Sequence, residues 1–160
     1  MPMQSSNLIE RMRAANWPVS DSRFAESVRQ SFAMQQFLEM IGAKLETIEP
    51  GACVIRMPVG PRLGQQHGYV HGGVIAAIAD TAGGYAALSL MPSESSVVTV
   101  EFKINFLAPG RGQVLVACGS VVHRGKTLSI VQSDVFALEH GAEVHITAMQ
   151  ASMIRRVLEV

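Results

Sequence analysis

Residues 71–84 read His71-Gly72-Gly73-Val74-Ile75-Ala76-Ala77-Ile78-Ala79-Asp80-Thr81-Ala82-Gly83-Gly84, and the shape of the whole chain follows from what this stretch can become. Alanine and isoleucine dominate it and no proline interrupts it before Pro92, so it is expected to form a helix starting near His71–Gly73 and ending before Pro92. Its small side chains leave that helix thin enough to lie close against a sheet. Asp80 is the only formally charged residue between Leu63 and Ser93. Burying an unpaired carboxylate costs several kcal/mol or more, and a chain that tolerates this usually uses the group. The alternative is a carboxylate hydrogen-bonded to backbone or capping a helix, although Asp80 sits well inside the segment.

Upstream, residues 1–20 read as an arm with a short helix around Leu8–Ala14, ended by Trp17-Pro18. A second helix is expected from Asp21 or Ser22 to Ile41. Phe24, Val28, Phe32, Phe37, Leu38 and Ile41 form its apolar face and Gly42 suits the C′ position. Strands follow at Ala43–Ile48 and Ala52–Pro58, joined through Glu49-Pro50-Gly51, then a loop from Val59 to Val70. Downstream, Val98, Val100, Phe102, Ile104 and Phe106 alternate with Thr99, Glu101, Lys103 and Asn105, the period of a half-buried strand. Turns at Pro109-Gly110, Arg124-Gly125-Lys126 and Glu139-His140-Gly141 divide the remainder into strands at about 113–122, 127–138 and 143–155. Hairpin turns imply that the last four strands form an antiparallel meander. An α+β domain follows, a curved antiparallel sheet of five to six strands wrapped around one long central helix. Residues 1–42 form an N-terminal arm and helix, and residues 43–160 the domain proper.

A chain of 160 residues suits one domain with its own core. Thirteen basic and thirteen acidic residues cancel, with a pI near 7.0, which argues against nucleic acid or a membrane surface as the main partner. The first 45 residues carry five basic and four acidic groups, too balanced for a DNA-binding extension. No run of about 18 apolar residues exists and the N-terminus lacks an apolar signal region, so a cytoplasmic location is expected. Cys53 and Cys118 lie in valine-rich segments and read as small buried hydrophobes. His123, His140 and His145 make no metal-ligand spacing. Hydrophobic residues at 48% against charged residues at 16% hint at an oligomer.

Gly72-Gly73 at a helix start offers unobstructed N–H groups, which bind oxyanions with the help of the helix dipole. Two glycines can also serve only to turn the chain. Seven or eight residues of helix span roughly 11–12 Å, so a carbonyl whose carbon is beside Asp80 cannot place its oxygen on Gly73 of the same chain. Either the two features are unrelated, or a two-fold dimer joins Asp80 of one subunit to Gly73 of the other. Gly83 and Gly84, one turn beyond Asp80, leave volume beside the carboxylate for an acyl or aryl group, or permit close helix packing.

Gly68-Tyr69-Val70-His71-Gly72-Gly73, Asp80-Thr81, the run from Val98 to Gly110, and Arg124-Gly125-Lys126-Thr127 together resemble the hotdog-fold acyl-CoA thioesterases. The nearest subgroup is the phenylacetic acid degradation type, related to the hydroxybenzoyl-CoA thioesterases. The resemblance covers about residues 43–156. It implies a homodimer with a joint sheet, paired into a tetramer, and sites at the subunit interface that hydrolyse acyl-CoA without metal or redox cofactor. Carried over, Asp80 is the nucleophile or general base, the Gly73 N–H polarises the thioester oxygen, and His71 shapes the helix start. Gln65 falls near the thioester carbonyl and Thr99 where a hydroxyl positions the attacking water. Gly72, Gly83 and Gly84 border the substrate, and Arg124, Gly125 and Lys126 meet the CoA phosphates. Gln66 and His67 receive no role. Two rival functions are a non-catalytic acyl-CoA-binding module and a hotdog hydratase or dehydratase. The latter usually carries a His base and a Pro-Gly pair that residues 64–70 lack.

Overall fold

The computed structural model describes residues 16–157; the short helix expected at Leu8–Ala14 lies outside them. The Asp21 carboxylate accepts the Arg23 N–H at 2.9 Å on the approach to the first helix, but the N-cap is Arg23, with no side-chain cap, rather than the expected Asp21 or Ser22, and α1 runs over Phe24–Ala33. The single helix expected as far as Ile41 is in fact two. Gln35 adopts an extended backbone (φ −84°, ψ 93°), and a short α2 follows over Gln36–Met40. The break re-aims the chain so that Leu38 and Ile41 enter the core while Phe37 stays half exposed. Gly42 takes the expected C′ place with φ +74°. Its N–H donates to the Glu39 carbonyl and the Ala43 N–H to the Leu38 carbonyl, at 3.0 and 2.9 Å, the paired bonds of a Schellman cap.

Six strands follow: β1 (Lys44–Glu49), β2 (Ala52–Pro58), β3 (Ser95–Phe106), β4 (Val114–Arg124), β5 (Leu128–Glu139) and β6 (Ala142–Val157). The long helix α3 (Gly72–Leu88) falls between β2 and β3. All pairings are antiparallel and the order is β1-β2-β4-β5-β6-β3. Only β4, β5 and β6 form the expected meander. Pro109-Gly110 does not close a hairpin, because β3 lies at the far edge against β6 and residues 107–113 cross to β4. Gly110 sits beneath the helix start in that crossing. Its carbonyl accepts the Val70 N–H at 2.9 Å, and a Cβ on it would stand 2.7 Å from Ile75 Cδ1.

α3 lies across the concave face. Ile75, Ile78, Ala79, Ala82 and Ala86 bury against Ile55, Leu115, Ala117, Val131 and Met153. The approach is closest at β4, where a Cβ on Gly119 would stand 2.3 Å from the Ala82 backbone. Fully burying each large aliphatic side chain contributes about 1.5–3 kcal/mol, so this layer is where the fold is held. Cys53 opposes Gly119 and Cys118 opposes Val54, so the two thiols point to opposite faces of the sheet and cannot join. Burial pushes both thiols up, Cys118 to about 12.

Strict alternation fails in β3. The pairing with β6 slips between Thr99 and Glu101, leaving Val100 as a bulge. Thr99 opposes Met153, Phe102 opposes Ala151 and Ile104 opposes Met149, all core-facing positions of β6. Opposed residues share a face, so the bulge turns Thr99 toward α3 and sends Val98 to the other side. Sequence periodicity had grouped Val98 with Phe102, and one extra residue overturns it.

Candidate active site

Asp80 lies at the middle of α3, half-buried, at one end of a cavity of about 520 Å³. Thr99 reaches it from β3, its hydroxyl donating to Asp80 Oδ1 at 2.7 Å. The neighbouring Thr81 cannot take that role, because its hydroxyl donates to the Ala77 carbonyl at 2.7 Å. Oδ2 has no hydrogen-bond partner among the described residues. Burial raises the Asp80 pKa above the ordinary aspartate value, and the Thr99 hydrogen bond opposes that rise. A carboxylate with one oxygen held, the other open to a cavity and its basicity increased is equipped to attack or to take a proton.

At the start of the same helix, His71 is the N-cap of α3. Its Nδ1 accepts the Gly73 N–H at 2.9 Å, which places the proton of a neutral ring on Nε2. This corrects the expectation that the Gly73 N–H faces a substrate oxygen, since the His71 ring already occupies it. The Gly72 N–H, at the first helical position, has no partner among the described residues. Phe106 explains why the residue is glycine, because a Cβ would stand 3.2 Å from Phe106 Cζ. Gly72, Phe106 and Gln65 line a second cavity of about 380 Å³. The Gln65 side chain folds back on its own loop, Oε1 accepting the His67 N–H at 2.8 Å. Gly72 and Asp80 stand eight residues apart on one helix, about 12 Å along its axis, so within one chain the donor and the carboxylate do not meet.

The sequence profile of the thioesterase superfamily matches residues 67–144, spanning both Gly72 and Asp80. A crystal structure of a thioesterase family protein from Silicibacter pomeroyi superposes with a TM-score of 0.83 at 39% identity, covering 84% of this chain and 99% of that one. A Halobacterium salinarum protein bearing an esterase name is 33% identical over 121 residues, 72% of this chain and 80% of its own. The 1,4-dihydroxy-2-naphthoyl-CoA hydrolase of Listeria monocytogenes is 28% identical over 92 residues, 58% of this chain and 75% of that protein. The chain belongs to the thioesterase superfamily. Its architecture is the hotdog fold and its enzyme class is thioester hydrolysis, as the motifs implied.

Within the thioesterase fold the remaining candidates fall apart into separate roles. Gly84 lines the Asp80 cavity, and a Cβ there would meet only Val97 Cγ1, at an ordinary 3.7 Å. Gly83 does not border that space. Its missing Cβ would stand 2.8 Å from both Ser133 Oγ and Val131 Cγ2, so it is a packing glycine of the helix–sheet contact. Arg124 is committed to the protein itself. Its guanidinium donates to the Pro18 carbonyl at 2.8 Å, to the Leu90 carbonyl at 2.7 Å and to Ser20 Oγ. Those bonds strap the N-terminal segment to the end of α3, while Arg124 also lines a cavity at the hairpin together with Lys126. Gly125 keeps the hairpin tight, since a Cβ would stand 2.2 Å from the Leu128 carbonyl oxygen. Lys126 stays exposed, beside Arg155, at a third cavity of about 220 Å³. Sequence reasoning missed α1 as a wall of the Asp80 cavity. The signal was the break in helical phase between Phe32 and Phe37, which isolates Gln35.

Proposed function

We propose that the protein hydrolyses acyl-CoA thioesters with Asp80 as the reacting carboxylate and Gly72 of a neighbouring protomer as the oxyanion donor. The carrying observation is the half-buried Asp80, its Oδ1 held by Thr99 and its Oδ2 open to the cavity. Acting as a base, Asp80 removes a proton from water and the resulting hydroxide adds to the thioester carbon. The carbon–sulfur bond then breaks and the thiolate leaves with a proton. Acting as a nucleophile, Oδ2 instead forms an anhydride that water cleaves. Single turnover in ¹⁸O-water separates the routes, because label enters the Asp80 carboxyl only through the anhydride. Donors aimed at the developing oxyanion lower its energy in a site that excludes water.

The roughly 12 Å between Gly72 and Asp80 supports a shared site. So does the outer edge strand β3, whose backbone edge is unpaired among the described residues and which exposes Val98, Val100 and Phe102 by 50%, 54% and 42%. An apolar open edge is a template for pairing with a second copy. A two-fold dimer joined there, itself paired into a tetramer, would build two sites at once. Lys126 and Arg155, at the hairpin, are the cations we assign to the CoA phosphates.

Asp80→Asn should reduce kcat by about 10²–10⁴-fold with assembly intact, read as free thiol released from a panel of acyl-CoAs. Equal thiol release by both forms defeats the proposal. No release by either, with a Tm raised by CoA esters, would instead mark a binding module. For the shared site, the second variant is Gly72→Pro. Proline suits the first helical position, His71 has the extended backbone (φ −60°, ψ 133°) that a following proline requires, and the half-exposed Phe106 ring must shift slightly to admit the new Cβ, so assembly of the variant is checked alongside its activity. Randomly mixed Asp80→Asn and Gly72→Pro subunits should recover about a quarter of wild-type activity, one intact site in each heterodimer. Heterodimers without activity would exclude the cross-subunit geometry.

A further inference from the structure

Arg124 carries a charge that no carboxylate balances among the described residues. Its guanidinium serves three neutral acceptors, the Pro18 carbonyl through Nη1 and both Ser20 Oγ and the Leu90 carbonyl through Nη2. Ser20 Oγ in turn donates to the Leu90 carbonyl at 3.0 Å. Trp17 covers Gly51 beside Leu90, since a Cβ on Gly51 would stand 2.5 Å from Trp17 Cδ1 and 3.4 Å from Leu90 Cδ1. Among the described residues, no backbone–backbone hydrogen bond holds residues 17–20, and Pro18, Val19 and Ser20 are exposed. The segment is a strap fastened by one aromatic ring and one arginine, the kind of attachment that opens at low cost.

The same arginine borders the hairpin cavity with Lys126 and Arg155, and no acidic residue lines that space. Arg155 is oriented there by Ser95, whose Oγ accepts its Nε–H at 2.8 Å. Three cations around one cavity suit a phosphate, yet Arg124 is not free to grip one. A guanidinium holds phosphate through two parallel N–H groups. Its two forks pair Nη2 either with Nε or with Nη1, so each needs a hydrogen of Nη2. One Nη2 hydrogen goes to Ser20 Oγ and the other to the Leu90 carbonyl, so both forks are closed while the strap is shut. Exchange favours the phosphate, because a hydrogen bond charged on both sides is roughly twice as strong as one to a neutral acceptor. The strap also reaches the Asp80 cavity. Asp21 and Phe24, next along the chain, line that cavity, and Met91 and Pro92 border both spaces.

We infer that residues 17–20 are a strap released by phosphate: a CoA phosphate takes an Arg124 fork from Ser20, and Trp17 and Pro18 lift away from Gly51 and Arg124. The strap precedes the segment matched by the superfamily profile, residues 67–144, so it is a device added to the shared chemistry. By linkage, whatever loosens the strap tightens the phosphate-bearing ligand by the same factor. The inference rests on the assignment of the hairpin cations to CoA and adds how that site is opened.

Trp17 is the single tryptophan of the chain, so its fluorescence reads the strap directly. Excited beyond the adenine absorption band, wild type should shift its emission to the red on titration with CoA or inorganic pyrophosphate. Pantetheine, which carries no phosphate, should leave it unmoved. Ser20→Ala removes one acceptor of Arg124 and should lower KM for CoA thioesters about fivefold with kcat held, while KM for the matching pantetheine thioesters stays the same. Arg124→Ala should show the red emission without ligand and no further shift with CoA. Ser20 is exposed, so its alanine variant reports even if Arg124→Ala fails to fold. An emission that ignores CoA, or moves as far with pantetheine, would overturn the strap, as would a Ser20→Ala KM equal to that of wild type. Equal KM for CoA and pantetheine thioesters in wild type would defeat the phosphate assignment beneath it instead.

Discussion

The two glycine pairs of α3 look alike in sequence and differ in every physical respect. At the helix start, Gly72 and Gly73 stand near solvent, one presenting an N–H without a partner among the described residues and the other giving its N–H to His71. Near the helix end, Gly83 and Gly84 are both buried, yet they serve different ends. Gly83 lets the helix approach β5 at Val131 and Ser133, while Gly84, about 100° round the helix, leaves a cavity open beside Asp80. Composition is therefore a poor guide to purpose here. A missing side chain can expose a donor, admit a neighbour or leave room for a ligand, and only its direction from the helix axis tells which.

The sharpest way to break the comparison is to add one methyl at each buried site and measure unfolding. Gly119→Ala, aimed at the Ala82 backbone, should destabilise most, by about 3 kcal/mol, because backbone cannot move aside. Gly83→Ala meets side chains rather than backbone and should cost about 1–2 kcal/mol net of its better helix propensity. Gly84→Ala should be neutral or gain up to about 1 kcal/mol, since nothing obstructs the methyl. Equal losses at Gly83 and Gly84 would erase the distinction between packing and ligand space.

Smaller effects sharpen the same contrast at Asp80. Its folded-state pKa is raised by burial. The fold therefore favours the neutral acid, and stability is lost as pH rises through the folded-state value. Asp80→Asn removes that cost and should raise Tm at neutral pH while leaving it little changed near pH 3, in a pair of thermal melts. A variant less stable than wild type at neutral pH would show that the carboxylate stabilises the fold. For catalysis the carboxylate form is required, so activity should climb along an acid limb above the ordinary aspartate value. Thr99→Val removes the hydrogen bond that opposes the shift, so that limb should move to higher pH. An unmoved limb in a pH–rate profile would assign it to another group.

Sequence alone carried the element types, nearly all of their limits, the Gly42 cap and the hotdog family, because these rest on local periodicity, turn chemistry and motif spacing. It also singled out Asp80, since a lone charge in an apolar helix stands out without coordinates. Tertiary structure decided what local pattern does not encode. Strand β3 crosses to pair with β6, because pairing is chosen by which edge completes the sheet rather than by the nearest turn. The bulge at Val100 put Thr99 on Asp80, since one unpaired residue reverses every side chain before it relative to those after it. The Gly73 N–H went to His71 and the Arg124 guanidinium to three protein acceptors, because donors near unpaired acceptors are used up locally. The wall of the cavity came from α1, more than forty residues upstream of Asp80, and distance along the chain hides such a contact until the fold brings the two together.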